Sequence, residues 1–292
     1  MSTLLLAALM MGAQTKIAPK MKKGMKKVYV TETTINTEFR QPVTITQETV
    51  FEVIDATNDG YILDVYVTDV KTDANDAESR IYSLATEMLK GIHTKYATDK
   101  DGKVTKVLDT EDIQKRTDEM LDKILGGLSL PVEMTASDLK SQLKLQVNEE
   151  SLTESLKIST SPLALNGKTI SSGTEEEYHN QSPGQLNLKM KRIYTINADG
   201  TITSSANIDM KKEDIREMFS GMFGSMVPDN SSEGVEGILS GLDSLFDNAN
   251  IQCSEQNTYT LAKDGWVKGI TSEMKTSAMG MSVSMKSKVT LK

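Results

Sequence analysis

Cysteine and histidine are almost missing from this chain: Cys253, His93 and His179 are the whole supply in 292 residues. A single thiol makes no internal disulfide, so no disulfide framework holds the fold. With two histidines and one cysteine at unrelated positions, no zinc site of common type can be written and no metal is expected. A Ser-His-Asp triad would need His93, just past an expected helix, or His179, in a polar loop. No Gly-x-Ser-x-Gly elbow exists to present the serine. Both histidines read as surface or capping groups, and Cys253 as a small buried residue on a strand. There is no Walker-type or dinucleotide glycine loop, so no cofactor is expected.

Positive charge is also short. The net charge is −8 at a pI of about 5.0, and no segment forms the basic stripe that nucleic acid demands. The same balance argues against loose docking on anionic membranes. Aromatic content is 5% and hydrophobic content 38%, low for a globular chain yet above a disordered one. No apolar run approaches 18 residues, so no transmembrane helix is expected.

Residues 4–11 (LLLAALMM) are the nearest thing to such a run, and Gly12-Ala13-Gln14 follow. Their length suits a signal-peptide core with cleavage after Ala13, which makes residues 1–13 a signal peptide and the protein periplasmic or secreted. Met11 stands where a small residue is usual and no Lys or Arg precedes the run, so the natural start is expected upstream. The alternative is a buried N-terminal helix turn. Cys253 is too far from this region to be a lipid anchor.

What the chain has is alternation. From Met279 to Leu291 the apolar residues Met279, Met281, Val283, Met285, Val289 and Leu291 alternate with Gly, Ser, Lys and Thr, the signature of a half-covered strand. Trp266, Ile270 and Met274 share a face in the strand before it. Near the N-terminus, a flexible basic lead-in (14–24) precedes β-branched runs at 25–39, 43–56 and 61–71, an antiparallel meander. Residues 94–108 form a hairpin, and 170–178, 186–197, 201–210 and 251–261 are further strands. Helical spacing appears at 77–92, 110–125, 213–226 and 233–246, with short helices inside 129–166. The expected fold is therefore α+β: an antiparallel sheet with helices packed on one face. An N-terminal part (25–128) and a C-terminal part (168–292) are joined by a connector (129–167). Tyr96, Asp101-Gly102 and Glu111-Asp112-Ile113 echo Tyr194, Asp199-Gly200 and Glu213-Asp214-Ile215, which points to a two-fold internal repeat, although the second spacing is four residues longer.

Four Asp-Gly pairs invite a calcium reading. An EF-hand loop needs a Glu six residues after its Gly, and Tyr66, Leu108, Ala206 and Thr271 stand there instead. These are hairpin turns. Acid runs such as Glu175-Glu176-Glu177 could serve hydrolysis, but adjacent acids are usually a solvated face. Methionine is the remaining signal: Met218, Phe219 and Met222 on an expected helix, with Trp266, Met274, Met281 and Met285 on strands, could hold an apolar ligand. The plainer alternative is an ordinary, loosely packed core.

Three segments carry a resemblance: Lys-Lys-Gly-Met-Lys-Lys-Val-Tyr-Val at 22–30, Asp-Gly-Lys-Val-Thr-Lys-Val at 101–107 and Asp-Gly-Trp-Val-Lys at 264–268. They resemble a family of secreted bacterial proteins of unknown function. The architecture this implies, a strongly curved, half-barrel-like sheet covered by helices, is similar to periplasmic lipoprotein carriers. The family brings no catalytic or ligand residue. The expected function is an exported, non-enzymatic protein that binds an apolar small molecule or lipid between sheet and helices. The alternative is a structural or protein-interaction module of the envelope with a filled core.

Overall fold

In the computed structural model, Tyr29, Phe51, Leu63, Tyr96, Tyr259, Ile270 and Val289 are all buried and share one side of a single large sheet. The structure describes residues 14–38, 40–73, 90–91, 93–108, 156–180, 188–210, 251–278 and 281–292, with isolated positions 113, 115, 119 and 153. The first strands are β1 (Thr15–Lys16), β2 (Lys26–Thr37), β3 (Arg40–Ala56), β4 (Gly60–Thr72), β5 (His93–Asp99) and β6 (Val104–Leu108). The rest are β7 (Thr169–Ile170), β8 (Glu175–Asn180), β9 (Leu188–Ile196), β10 (Ile202–Met210), β11 (Ile251–Leu261), β12 (Val267–Ala278) and β13 (Met281–Leu291). Eleven of them form one antiparallel sheet in the order β6-β5-β4-β3-β2-β13-β12-β11-β10-β9-β8, and β1 pairs with β7. Neighbours in this sheet are neighbours in sequence except at one place, where β13 joins β2.

The sheet curls. Gly167 lies so close to Lys103, in the β5–β6 turn, that a Cβ there would stand 2.7 Å from the lysine's own. The next residue, Lys168, donates to the hydroxyl of Tyr194 on β9 at 3.1 Å. In a flat sheet, strands that far apart in the order would be separated by roughly 40 Å at ~4.8 Å per step. Consecutive residues can touch both only if the covered side closes around them.

The α+β expectation is corrected here. Of the described residues 67% are strand, and among them no helix packs on the sheet. The helices expected at 77–92, 110–125, 213–226 and 233–246 fall outside the described residues apart from scattered positions, as does most of 129–166. The described cover is irregular backbone. Residues 158–168 make their own turns (Ser161 N–H to Ile158 O 2.9 Å, Ala164 to Ser161 3.0 Å, Asn166 to Leu163 3.0 Å), so few amides are orphaned when Leu163, Ala164 and Leu165 are buried. A segment that satisfies its own peptide groups can plug a sheet without helical periodicity, which is why a search for period 3.6 passed over it.

Residues 14–24 are not a flexible lead-in either. Ile17 and Met21 are buried in the same core, Ile17 donates to Lys168 O at 2.9 Å, and the Trp266 indole donates to Lys20 O at 3.1 Å. Two Asp-Gly turns form the cradle. A Cβ on Gly265 (φ +83°) would meet Ala18 O at 3.0 Å, and one on Gly102 (φ +78°) would meet the Met21 methyl at 2.9 Å. Both positions combine the left-handed backbone with close approach, which only glycine meets without strain. His179 lies on β8 rather than in a loop.

Candidate ligand groove on the covered face

Cross-strand register sorts the covered face into rows. The first row, Val289, Ile270, Tyr259 and Ile202, is apolar and fully buried. Beside it Trp266 closes the packed end, and Tyr29 meets Phe51 edge-on at 5.5 Å while donating to Val267 O at 2.6 Å. The second row, Thr33, Ser287, Ser272, Asn257 and Ser204, is small and polar. Thr33 bonds Ser287 at 3.0 Å and Asn257 donates to Ser204 at 3.1 Å, which offsets part of the cost of burying the band, although the Asn257 Oδ1 has no partner. The third row runs Ile35, Met285, Met274, Glu255, Ala206, Arg192 and Glu176.

The β8–β11 side of this face carries charge. The Arg192 guanidinium, 2% exposed, holds both oxygens of Glu255, 7% exposed, at 3.0 and 3.2 Å. Asn257 adds a 2.6 Å hydrogen bond to Glu255. Burial works against the charged guanidinium, but the Glu255 carboxylate together with Tyr194 and Tyr259 outweighs it and pushes Arg192 further up. Next to this pair Lys168 holds Glu176 at 2.7 Å, and the Tyr194 hydroxyl donates to the same carboxylate at 2.7 Å. Burial pushes Lys168 down and would push Glu176 up. At Glu176 the charge and hydrogen bond of Lys168, with the Tyr194 hydroxyl, win and hold it below the usual carboxylate value. The contact geometry and the ordinary basicity of lysine make the ion pair the neutral-pH state. Burial raises Tyr194 and Tyr259, so both remain protonated phenols.

The β2–β5 side is different in kind. A groove of about 410 Å³ opens there against the turn segment at 156–162. Phe51, Val65, Val67, Tyr96, Leu156, Ile158 and Pro162 supply apolar walls, and Thr31, Gln47, Thr49, Thr94 and Thr160 supply hydroxyls and an amide. Gln47 is oriented by Thr49, to which its amide donates at 2.9 Å. Val65 and Val67 are half-buried and Ile158 is 37% exposed, so apolar surface here is left open where the neighbouring row is packed. Larger hollows of about 600 and 520 Å³ lie on the opposite face, but they are lined chiefly by Ser, Thr, Asn, Gln, Lys and Glu. That face is laced with ion pairs, such as Lys26 with Glu52 at 2.8 Å. Both hollows carry charge in their lining, Lys275 in the larger and Glu32, Glu273, Lys286 and Lys288 in the smaller, where the described lining of the groove has none.

Of the seven residues singled out from sequence, Trp266, Met274 and Met285 are not in the described lining of this groove. Met218, Phe219 and Met222 lie outside the described residues. Trp266 is 1% exposed inside the packed end. Met274 and Met285 face each other across β12 and β13, with Met274 packed on Ala206 and Cys253. Met281 opens β13 opposite Ala278. His93, read from sequence as a surface or capping residue, opens β5, bonds Asp64 at 2.7 Å and stacks on Tyr66 at 4.2 Å. Sequence reasoning missed Arg192, Glu255, Lys168 and Glu176. The signal for the first two was parity: Arg192 is in step with Tyr194 and Ile196, and Glu255 with Cys253 and Tyr259.

No family model and no curated protein sequence matches the chain. Among solved structures, lipovitellin, in a study of its lipid–protein interactions, is similar at a TM-score of 0.42 and 8% identity; the match covers 94% of this chain and 25% of that one. The chain thus spans a quarter of lipovitellin's length. A porin-like protein from Bacteroides uniformis is similar at a TM-score of 0.20 and 10% identity, covering 91% of this chain and 95% of that one. At these scores neither decides fold or function, which rest on the geometry. No helix among the described residues is long and apolar enough to cross a membrane, a statement about helices alone.

Proposed function

We propose that this protein is an exported, non-enzymatic binder of an apolar or lipidic ligand, held on the covered face of the sheet. One observation carries the reading: on a face whose other end is packed shut, the β2–β5 part keeps a groove of about 410 Å³ with apolar walls. That volume lies in the range of small-molecule sites, and a few fixed polar groups among apolar walls are their usual composition. Export rests on the apolar run at 4–11 and the small residues after it.

Native mass spectrometry of protein purified from its own host tests the binding. A co-purifying apolar mass, lost on delipidation and regained on adding it back, supports the reading. Protein that carries nothing and takes up nothing would leave the second reading, a structural or interaction module, which the filled end around Trp266 favours. N-terminal sequencing tests export: exported material should begin at or near Gln14, and an intact Met1 in a cytoplasmic fraction would sink it.

A further inference from the structure

Resting on that reading, we propose that the groove selects an uncharged amphiphile, an apolar chain with a hydroxyl, ester or amide head, and rejects chains ending in a carboxylate, phosphate or ammonium. The first observation is the lining. Its described polar groups are hydroxyls and the Gln47 amide, and none of the described lining residues is Lys, Arg, His, Asp or Glu. A charged head entering between Phe51, Val65 and Leu156 would shed water and find no opposite charge to replace it. A neutral head can exchange its water for hydrogen bonds with Thr31, Gln47 or Thr49.

The second observation is that the described cations Lys27, Arg192 and Lys168 on the covered side are already paired. Lys27, on the same side of β2 as Tyr29 and Thr31, is held by Asp264 at 2.8 Å and sits 5.9 Å from the Trp266 ring centre. Arg192 is closed on Glu255 and Lys168 on Glu176. Recruiting any of them for an anionic head would break a made pair and strand its partner carboxylate, which for Glu255 is nearly fully buried. The nearby His93 is tied to Asp64, whose register places it opposite Glu52 and Lys95, on the other face from Phe51. Specificity here comes from what a wrong head would leave unpaired.

The test compares ligands of one chain length, decanol, decanoate and decylammonium, displacing a neutral apolar dye from the full chain at pH 8. Decanol should bind, and the two ions at least tenfold more weakly. Gln47→Lys should bring decanoate to within a few-fold of decanol, and the near-isosteric Gln47→Glu should do the same for decylammonium. Circular dichroism and the urea midpoint confirm that both variants fold. Equal affinity for the three chains, or no change of preference in either folded variant, overturns this inference and leaves the binding reading intact. If no chain displaces the dye, both fall.

Discussion

The covered face is one continuous surface with two solutions to the same problem. At β2–β5 part of the surface stays open as a groove whose described lining is apolar or carries neutral hydroxyls and an amide. At β8–β11 it is shut, although it contains Arg192, Glu255, Lys168 and Glu176. Arg192 and Glu255 are more costly to bury than valines, so burial is not simply following hydrophobicity; Lys168 and Glu176 beside them stay partly exposed. What permits it is charge pairing: Arg192 holds Glu255 and Lys168 holds Glu176, and Asn257 and Tyr194 donate further hydrogen bonds to those carboxylates. The β2–β5 side has no such network to close it. It stays available to a guest.

The sharpest way to break this comparison is to remove one charge. Arg192→Met leaves Glu255 buried without its partner and should cost about 3–5 kcal/mol by urea unfolding. Arg192→Met with Glu255→Leu should recover most of that loss. If the double variant is as unstable as the single one, pairing is not what shuts this side. A smaller effect is expected from Tyr29→Phe at the packed end. It deprives the buried Val267 carbonyl of a 2.6 Å hydrogen bond, at about 1–3 kcal/mol. A loss close to zero would mean that water reaches Val267 and the end is less dry than its burial indicates.

Acid gives a finer probe of the charged side. Glu176 sits below its ordinary value in the fold, so the unfolded chain takes the proton first as pH falls. The stability it contributes is full above the unfolded value of about 4.3 and is lost below it, down to the lower folded value. Glu176→Gln should therefore differ most from the parent at pH 6, and the gap should narrow on acidification past that point. A gap constant from pH 6 to pH 3 would remove Glu176 from the account. The smallest effect belongs to the opposite face. Lys286→Ser removes a fully exposed partner of Glu273 at 3.7 Å and should not move the urea midpoint. A clear shift would show that the outer ion pairs act as a network.

The strands were legible because period two is a local signal: the run expected at 61–71 is β4 at Gly60–Thr72, and that at 251–261 is β11. Which side would be covered was legible from Tyr29, Phe51 and Trp266. What was hidden depends on partners distant in sequence. Ser272 and Ser287 look like solvent residues, yet each is buried because the register sets them beside Asn257 and Thr33. Val283 looks like core and is 43% exposed, because it lies beyond the packed rows. Residues 14–24 look like a tether since their alternation is too short to read, and only the Asp-Gly cradles fix them. The methionines gave composition without position, and the groove drew its walls from strands and a turn segment that no stretch of sequence unites.

The joint between β13 and β2 has a kinetic consequence. Every other neighbour in the main sheet is also the next described strand along the chain, so two meanders can form from pairings much closer in sequence. This joint brings together side chains 254 positions apart, those of Thr33 and Ser287, at a high cost in loop closure. Until it forms, each meander presents a raw edge, β2 with 12 residues and β13 with 11, rich in Thr, Ser and Val. Those edges can pair with a second chain as readily as with each other. Refolding at rising concentration should therefore lose yield to strand-exchanged dimers, and a chaperone that shields one of the two edges should restore it.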